Sequence, residues 1–135
     1  MKSKVKLLAL VQLPPPIHGA SVMNEVADRV FRNEYSDSYR VIDMNFSDNL
    51  SELRKIGIKK FLRLFNIGLK ILKAIFFERP NLIYFTLTPT GNGFYRDVLI
   101  VAIIKLFRIK IVYHLHGKGI SARESFWDEK LYSFV

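Results

Sequence analysis

No cysteine occurs anywhere in the chain, which excludes disulfides and thiolate metal sites and fits a reducing cytoplasm. Long apolar runs are also missing. The most continuous one with helical character, Val98-Leu-Ile-Val-Ala-Ile-Ile104, is far too short to span a bilayer. Met1-Lys-Ser-Lys4 ahead of an apolar stretch superficially mimics a signal peptide. That stretch is short, is interrupted by Lys6, and leads into three prolines instead of a small-residue cleavage site. Neither G-x-G-x-x-G nor G-x-S-x-G is present, so the dinucleotide fingerprint and the serine-hydrolase elbow are both excluded. Internal repeats and low-complexity segments are absent as well.

What is present is enough for one α/β domain with a sizeable core: 135 residues, half of them hydrophobic and 24% charged, a balance that argues against disorder. The formal net charge is +9. Its distribution matters more than its size, because seven cations and no acid lie between Leu53 and Phe77. A locally basic surface points to phosphates, an anionic membrane or nucleic acid.

Strand and helix signals alternate four times. Val5 to Gln12 reads as a buried first strand, and a helix follows from Ser21 to about Phe31. Tyr39 to Met44 is the second strand, and a polar loop over Asn45–Ser51 leads to a long helix from about Glu52 to Phe77. Glu78-Arg-Pro-Asn81 stops that helix before the third strand, Leu82 to Leu87. After the turn-rich Thr88–Gly93 loop, a very apolar helix runs to Phe107 and the fourth strand spans Lys110 to Leu115. Short, apolar, β-branched strands between helices predict a Rossmann-like, doubly wound parallel sheet covering residues 1–135. Ser121-Ala-Arg-Glu124 reads as a capping box, and the helical pattern it opens continues to Val135 without a stop, as expected of part of a longer protein.

The most informative segment is Leu13-Pro-Pro-Pro-Ile-His-Gly-Ala-Ser21, between the first strand and the first helix. The prolines set their own φ angles and hold the residues before them extended. Gly19 allows close approach to the backbone, and the free N–H groups of the helix start make a place for a polar or anionic ligand. In the doubly wound order 3-2-1-4 the first and fourth strands are neighbours, so this loop is expected beside His116–Gly119. All three histidines (His18, His114 and His116) then fall at these two strand ends. The plain alternative for His18 and His116 is a solvent-edge loop position without a chemical role; His114 reads better as a hydrogen-bonded core histidine. A metal site from His114, His116 and His18 is conceivable, since i and i+2 share a strand face, but no carboxylate accompanies either loop.

With P-P-P-x-H-G-A-S after the first strand and H-L-H-G after the fourth, the chain resembles the N-terminal domain of family 4 glycosyltransferases. These are retaining, nucleotide-sugar-dependent enzymes with two Rossmann-like domains, the GT-B architecture. The H-G-A-S variant is similar to members that build bacterial surface polysaccharides. The resemblance implies that His116 is catalytic or close to the reacting centre. It also implies that Pro16, His18, Gly19, Ala20, Ser21, Gly117 and Lys118 bind substrate. The nucleotide-sugar donor is then a substrate, the acceptor is a glycan or lipid-linked, and no cofactor or metal is expected. Leaving-group charge would be met by backbone N–H groups and basic side chains. The family's second, donor-binding domain is not in these residues, so the chain alone is expected to have little or no activity.

The long basic helix carries a second expectation. At a hundred degrees per residue, Lys55, Lys59, Arg63, Lys70 and Lys73 share one stripe with Asn66. Ile58, Phe61, Leu64, Phe65, Leu69, Leu72 and Phe76 cover most of the remainder. The plain reading packs the apolar side on the sheet and leaves the stripe solvated. The functional reading is contact with an anionic membrane, on the inner face of the plasma membrane, through these five cations. Nucleic acid is not expected as a partner, since no recognised binding module is present. A noncatalytic Rossmann-like module that binds a membrane or a partner chain is the alternative to the transferase.

Overall fold

The computed structural model describes residues 4–46, 57–89, 91–116, 130–131 and 133–135. Gly117, Lys118, Lys55 and the Ser121–Glu124 capping box lie outside the described residues. The elements in chain order are β1 (Leu7–Val11), α1 (Gly19–Tyr35), a 3-10 turn (Ser36–Ser38), β2 (Tyr39–Asp43), α2 (Ile58–Phe77), β3 (Leu82–Leu87), α3 (Gly91–Leu106) and β4 (Lys110–Leu115). The four strands form one wholly parallel sheet, and the protein is α/β as its alternating pattern predicts.

The strand order is β2-β1-β3-β4, which corrects the expected 3-2-1-4. β3 lies between β1 and β4, so the first and fourth strands are not neighbours. The reason is visible in the strand sequences. β1 (LLALV) is buried at every position, and β3 (LIYFTL) is fully buried at every second one, so these two take the centre. β2 carries exposed Arg40 and Asp43, and β4 carries exposed Lys110; charges of this kind suit edges. The topological switch point, where the connections change direction along the sheet, therefore falls between β1 and β3.

The connection from β1 to β2 moves one way along the sheet and the later two move the other way. Crossovers of one hand must then place their helices on opposite faces. That is what is seen. α2 and α3 pack with Leu8, Leu10, Ile83, Phe85 and Leu87 in the larger core, around fully buried Phe94, Ile71 and Ile104. α1 packs on the alternate residues Leu7, Ala9 and Val11 through Phe31 and Tyr35. Its Asp28 is buried but fully engaged, accepting from Tyr39 Oη at 2.7 Å and from Arg32 Nε at 2.9 Å. Among the described residues no helix is long and apolar enough to cross a membrane.

Candidate functional site

The proline loop is held by its own helix. His18 is the N-cap of α1: its Nδ1 accepts from Ser21 N at 3.2 Å, and Ser21 Oγ accepts from His18 N at 3.0 Å. This reciprocal cap starts the helix at Gly19, two residues before the expected Ser21. Ser21 is buried, with its hydroxyl 2.9 Å from both Pro16 O and His18 O. Among the substrate-binding candidates, then, Ser21 and buried Pro16 shape the loop, and His18 keeps Nε2 as the ring edge not used in capping. Gly19 and Ala20 contribute the helix-start N–H groups that have no partner within the helix. The space that a Cβ would fill at Gly19 is open to 4 Å, so no packing constraint requires glycine there.

Asn24, one turn further along α1, is the residue that assembles the rest. It is completely buried and joins four elements at the carboxyl edge of the sheet. Its Nδ2 donates to Gln12 O after β1 at 3.0 Å. Its Oδ1 accepts from Thr86 Oγ1 in β3 at 3.0 Å and lies 3.2 Å from His116 Nε2 after β4. Because Gln12 O is only an acceptor, the amide orientation is set. Oδ1 is then an acceptor for His116, so His116 Nε2 carries its proton. The lone pair of the neutral ring sits on Nδ1, the nitrogen suited to accept a proton or hydroxyl from a ligand.

His116 is also biased toward the neutral form. Burial lowers its pKa below the usual histidine value, and the neighbouring His114 and His18 lower it further. His114 and His116 come together at the end of β4, and His18 lies near enough to act on His116 electrostatically. Residues 114 and 116 share the sheet face with Tyr84 and Thr86, and α1 leans over that face to reach them. His114 and His116 stack with ring centroids 4.2 Å apart, and His114 Nδ1 is hydrogen-bonded to Tyr84 Oη. His114 is half-buried and hydrogen-bonded, close to the core reading given to it. Among the described residues no group of three or more His, Asp or Glu side chains is placed to hold a metal ion.

A second buried polar group supports the loop after β3, the strand end that the corrected order puts beside the proline loop. Asp97, buried within α3, accepts from Thr88 N at 2.8 Å and pairs with Arg96 at 2.6 Å. Arg96 in turn reaches Thr88 Oγ1 at 3.2 Å and lies over the Phe46 ring at 4.1 Å. Burial outweighs these attractions and raises the Asp97 pKa. Sequence reasoning missed Asn24, Thr86 and the Arg96–Asp97 pair. Their signal was present: Ser21, Asn24 and Asp28 recur at helical spacing, and Asp97 interrupts an otherwise apolar helix.

The cationic stripe is split by the structure. Lys59, Lys70 and Lys73 are exposed, Arg63 is half-buried, and Arg63 and Lys70 line a cleft together with Asn66. The apolar arc divides too. Ile67, Ile71, Ala74 and Ile75, with Leu64 beside them, pack on the sheet. Ile58, Phe61, Leu62, Phe65, Leu69 and Phe76 remain exposed, Phe61 to 72%. Compared with known proteins, the chain matches no protein-family model, no curated protein and no solved structure.

Proposed function

We propose that this chain is the acceptor-side part of a retaining, nucleotide-sugar-dependent glycosyltransferase of GT-B architecture. Its acceptor would be a glycan or lipid-linked, within bacterial cell-envelope polysaccharide synthesis. The supporting observation is the junction at Asn24, which holds the end of β1, the end of β3 and His116 in one hydrogen-bonded unit next to the start of α1. In this reading the Gly19 and Ala20 N–H groups face the diphosphate of the donor, where developing negative charge is met by the helix start. His116 Nδ1 accepts from a sugar or acceptor hydroxyl. By the family resemblance Gly117 and Lys118 would also bind substrate. A second domain, in cis or in trans, would hold the rest of the donor.

The test is transfer of labelled sugar by the protein as its native cell makes it, with Gly19→Ala and His116→Ala compared singly and together. Gly19→Ala suits this purpose because its methyl group meets open space and helix propensity favours alanine. The double variant should abolish transfer while leaving the far-ultraviolet spectrum unchanged; full turnover would remove the assignment of this crevice.

A second reading, a noncatalytic module on an anionic membrane, is favoured by the exposed arc on α2. Ile58, Phe61, Phe65 and Leu69 with Lys59 and Lys73 alongside are the composition of an interfacial helix. Vesicle binding that persists in the His116→Ala protein and ignores nucleotide would select this reading over the first.

A further inference from the structure

Where α2 passes the carboxyl ends of β1 and β2, a cleft of about 400 Å³ opens. One wall is Pro15, Asp43 and Asn45; the other is Arg63, Asn66 and Lys70 of α2, with buried Ile67 between. The first wall is tied together. Asp43 Oδ1 accepts from Leu13 N at 3.2 Å and from Asn45 N at 3.1 Å. Asn45 Nδ2 donates to Pro15 O at 2.9 Å and to Asp43 Oδ2 at 3.1 Å, and it also contacts Leu13 O. The proline loop is thereby clasped to the end of β2, and the wall is organised before any ligand arrives.

The second wall follows from helical spacing. Arg63, Asn66 and Lys70 stand at i, i+3 and i+7, so they form one row along the helix, with the two cations about 10 Å apart. Asp43 faces this row across the cleft, and three donors already satisfy much of its acceptor capacity. The two walls together offer cations for a phosphate and carboxylate and amide oxygens for hydroxyls. We propose that this cleft is a binding site for a phosphate ester that carries a hydroxylated group. The phosphate is held between Arg63 and Lys70, and the hydroxyls by Asp43 and Asn66. The exposed Leu62 and Leu69, adjacent to Asn66 and Lys70 on the helix, would accommodate an apolar tail on such an ester. The site shares no residue with the Asn24–His116 junction and does not rest on the transferase reading, so either can fail while the other stands.

The experiment is a nuclear magnetic resonance titration of the whole chain with glycerol 1-phosphate. A parallel competition uses vesicles of phosphatidylglycerol or of phosphatidylcholine alone. The ester should shift the signals of Asn45, Asn66 and Lys70. Lys70→Gln, an exposed substitution with no folding role, should weaken binding about tenfold, the size expected for one charge-assisted hydrogen bond. Lys73→Gln, on the same helix outside the cleft, should change it by less than about twofold. If phosphatidylglycerol vesicles displace the soluble ester, the lipid headgroup is a natural occupant. If they bind without displacing it, the occupant is a soluble ester; either result keeps the site. Absence of shifts at these three residues, or equal weakening by Lys70→Gln and Lys73→Gln, would overturn the proposal by reducing it to diffuse charge.

Discussion

Helix α1 turns Ser21, Asn24 and Asp28 inward and leaves Val22, Met23, Val26 and Val30 at the surface, whereas α2 turns isoleucines inward and leaves phenylalanines outside. Both helices cover the same sheet from opposite sides. α2 packs along an apolar sheet face, and its buried residues need nothing but volume. α1 lies near strand ends that present Gln12 O, Thr86 and His116, so polar side chains find partners there and can be buried at little cost. Further along the same stripe of α1, away from those strand ends, the inward groups become the partly buried Phe31 and Tyr35. The lesson is that burial on α1 marks a site, and burial on α2 marks a core.

The sharpest way to break this contrast is to remove volume from α2. Ile71→Ala, at a fully buried position, should cost about 3–4 kcal/mol in urea unfolding and leave the signals of Asn24 and His116 in place. On α1, Asn24→Ala deletes polar partners instead of volume. It strands Gln12 O, Thr86 Oγ1 and His116 Nε2–H and should cost about 2 kcal/mol. A cost near zero would mean that these groups are satisfied by water and that Asn24 organises nothing. Asn24→Asp sharpens the point. A carboxylate beside Nε2–H holds the imidazolium, so the His116 pKa should rise from its lowered position, as read by long-range nitrogen-15 spectra. In the native chain those spectra should show the proton on Nε2.

The pH dependence is smaller and has a definite sign. The folded pKa of His116 is lowered, so between that value and the ordinary one the unfolded chain binds more protons. Stability therefore rises with pH through that window and is lost as pH falls through the folded pKa. Urea midpoints between about pH 5 and pH 7 should show the slope, and His116→Gln should reduce it. The smallest effect on stability is expected on the exposed side of α2. Phe61→Ser with Phe65→Ser touches only exposed positions and should change stability by less than about 0.5 kcal/mol per site. If that pair unfolds the protein, the exposed arc is part of the core after all. If it leaves folding intact and removes vesicle binding, the arc is a contact surface.

Much of this was legible in the chain. β3 and β4 were read with the limits the structure shows, because β-branched runs bounded by proline, glycine and polar residues leave little choice of register. The three histidines were read at two adjacent strand ends. His114 and His116 do stack, while His18 is tied to Ser21 in the helix cap. What was not legible was the link between the two ends: the expected adjacency of β1 and β4 is absent, and Asn24 reaches across β3 to His116, a contact 92 residues apart in sequence. On α1 the apolar residues Val22, Met23, Val26 and Val30 recur at spacings of three and four as a core face would, yet they point outward. Periodicity identifies a stripe but does not say which stripe meets the sheet.

The sequence by itself determined the alternation of strand and helix, the parallel sheet and the stiff capped loop. Each of these depends on neighbours within a few residues: side-chain period, proline geometry and the reciprocal bond between His18 and Ser21. Only the tertiary structure decided the strand order, the inward turn of Asn24, the protonated nitrogen of His116 and the cleft that Arg63 and Lys70 share with the end of β2. Those features are set by which strands exclude water best and by which buried polar groups can all be satisfied at once. Both conditions are met only when distant parts of the chain share one space.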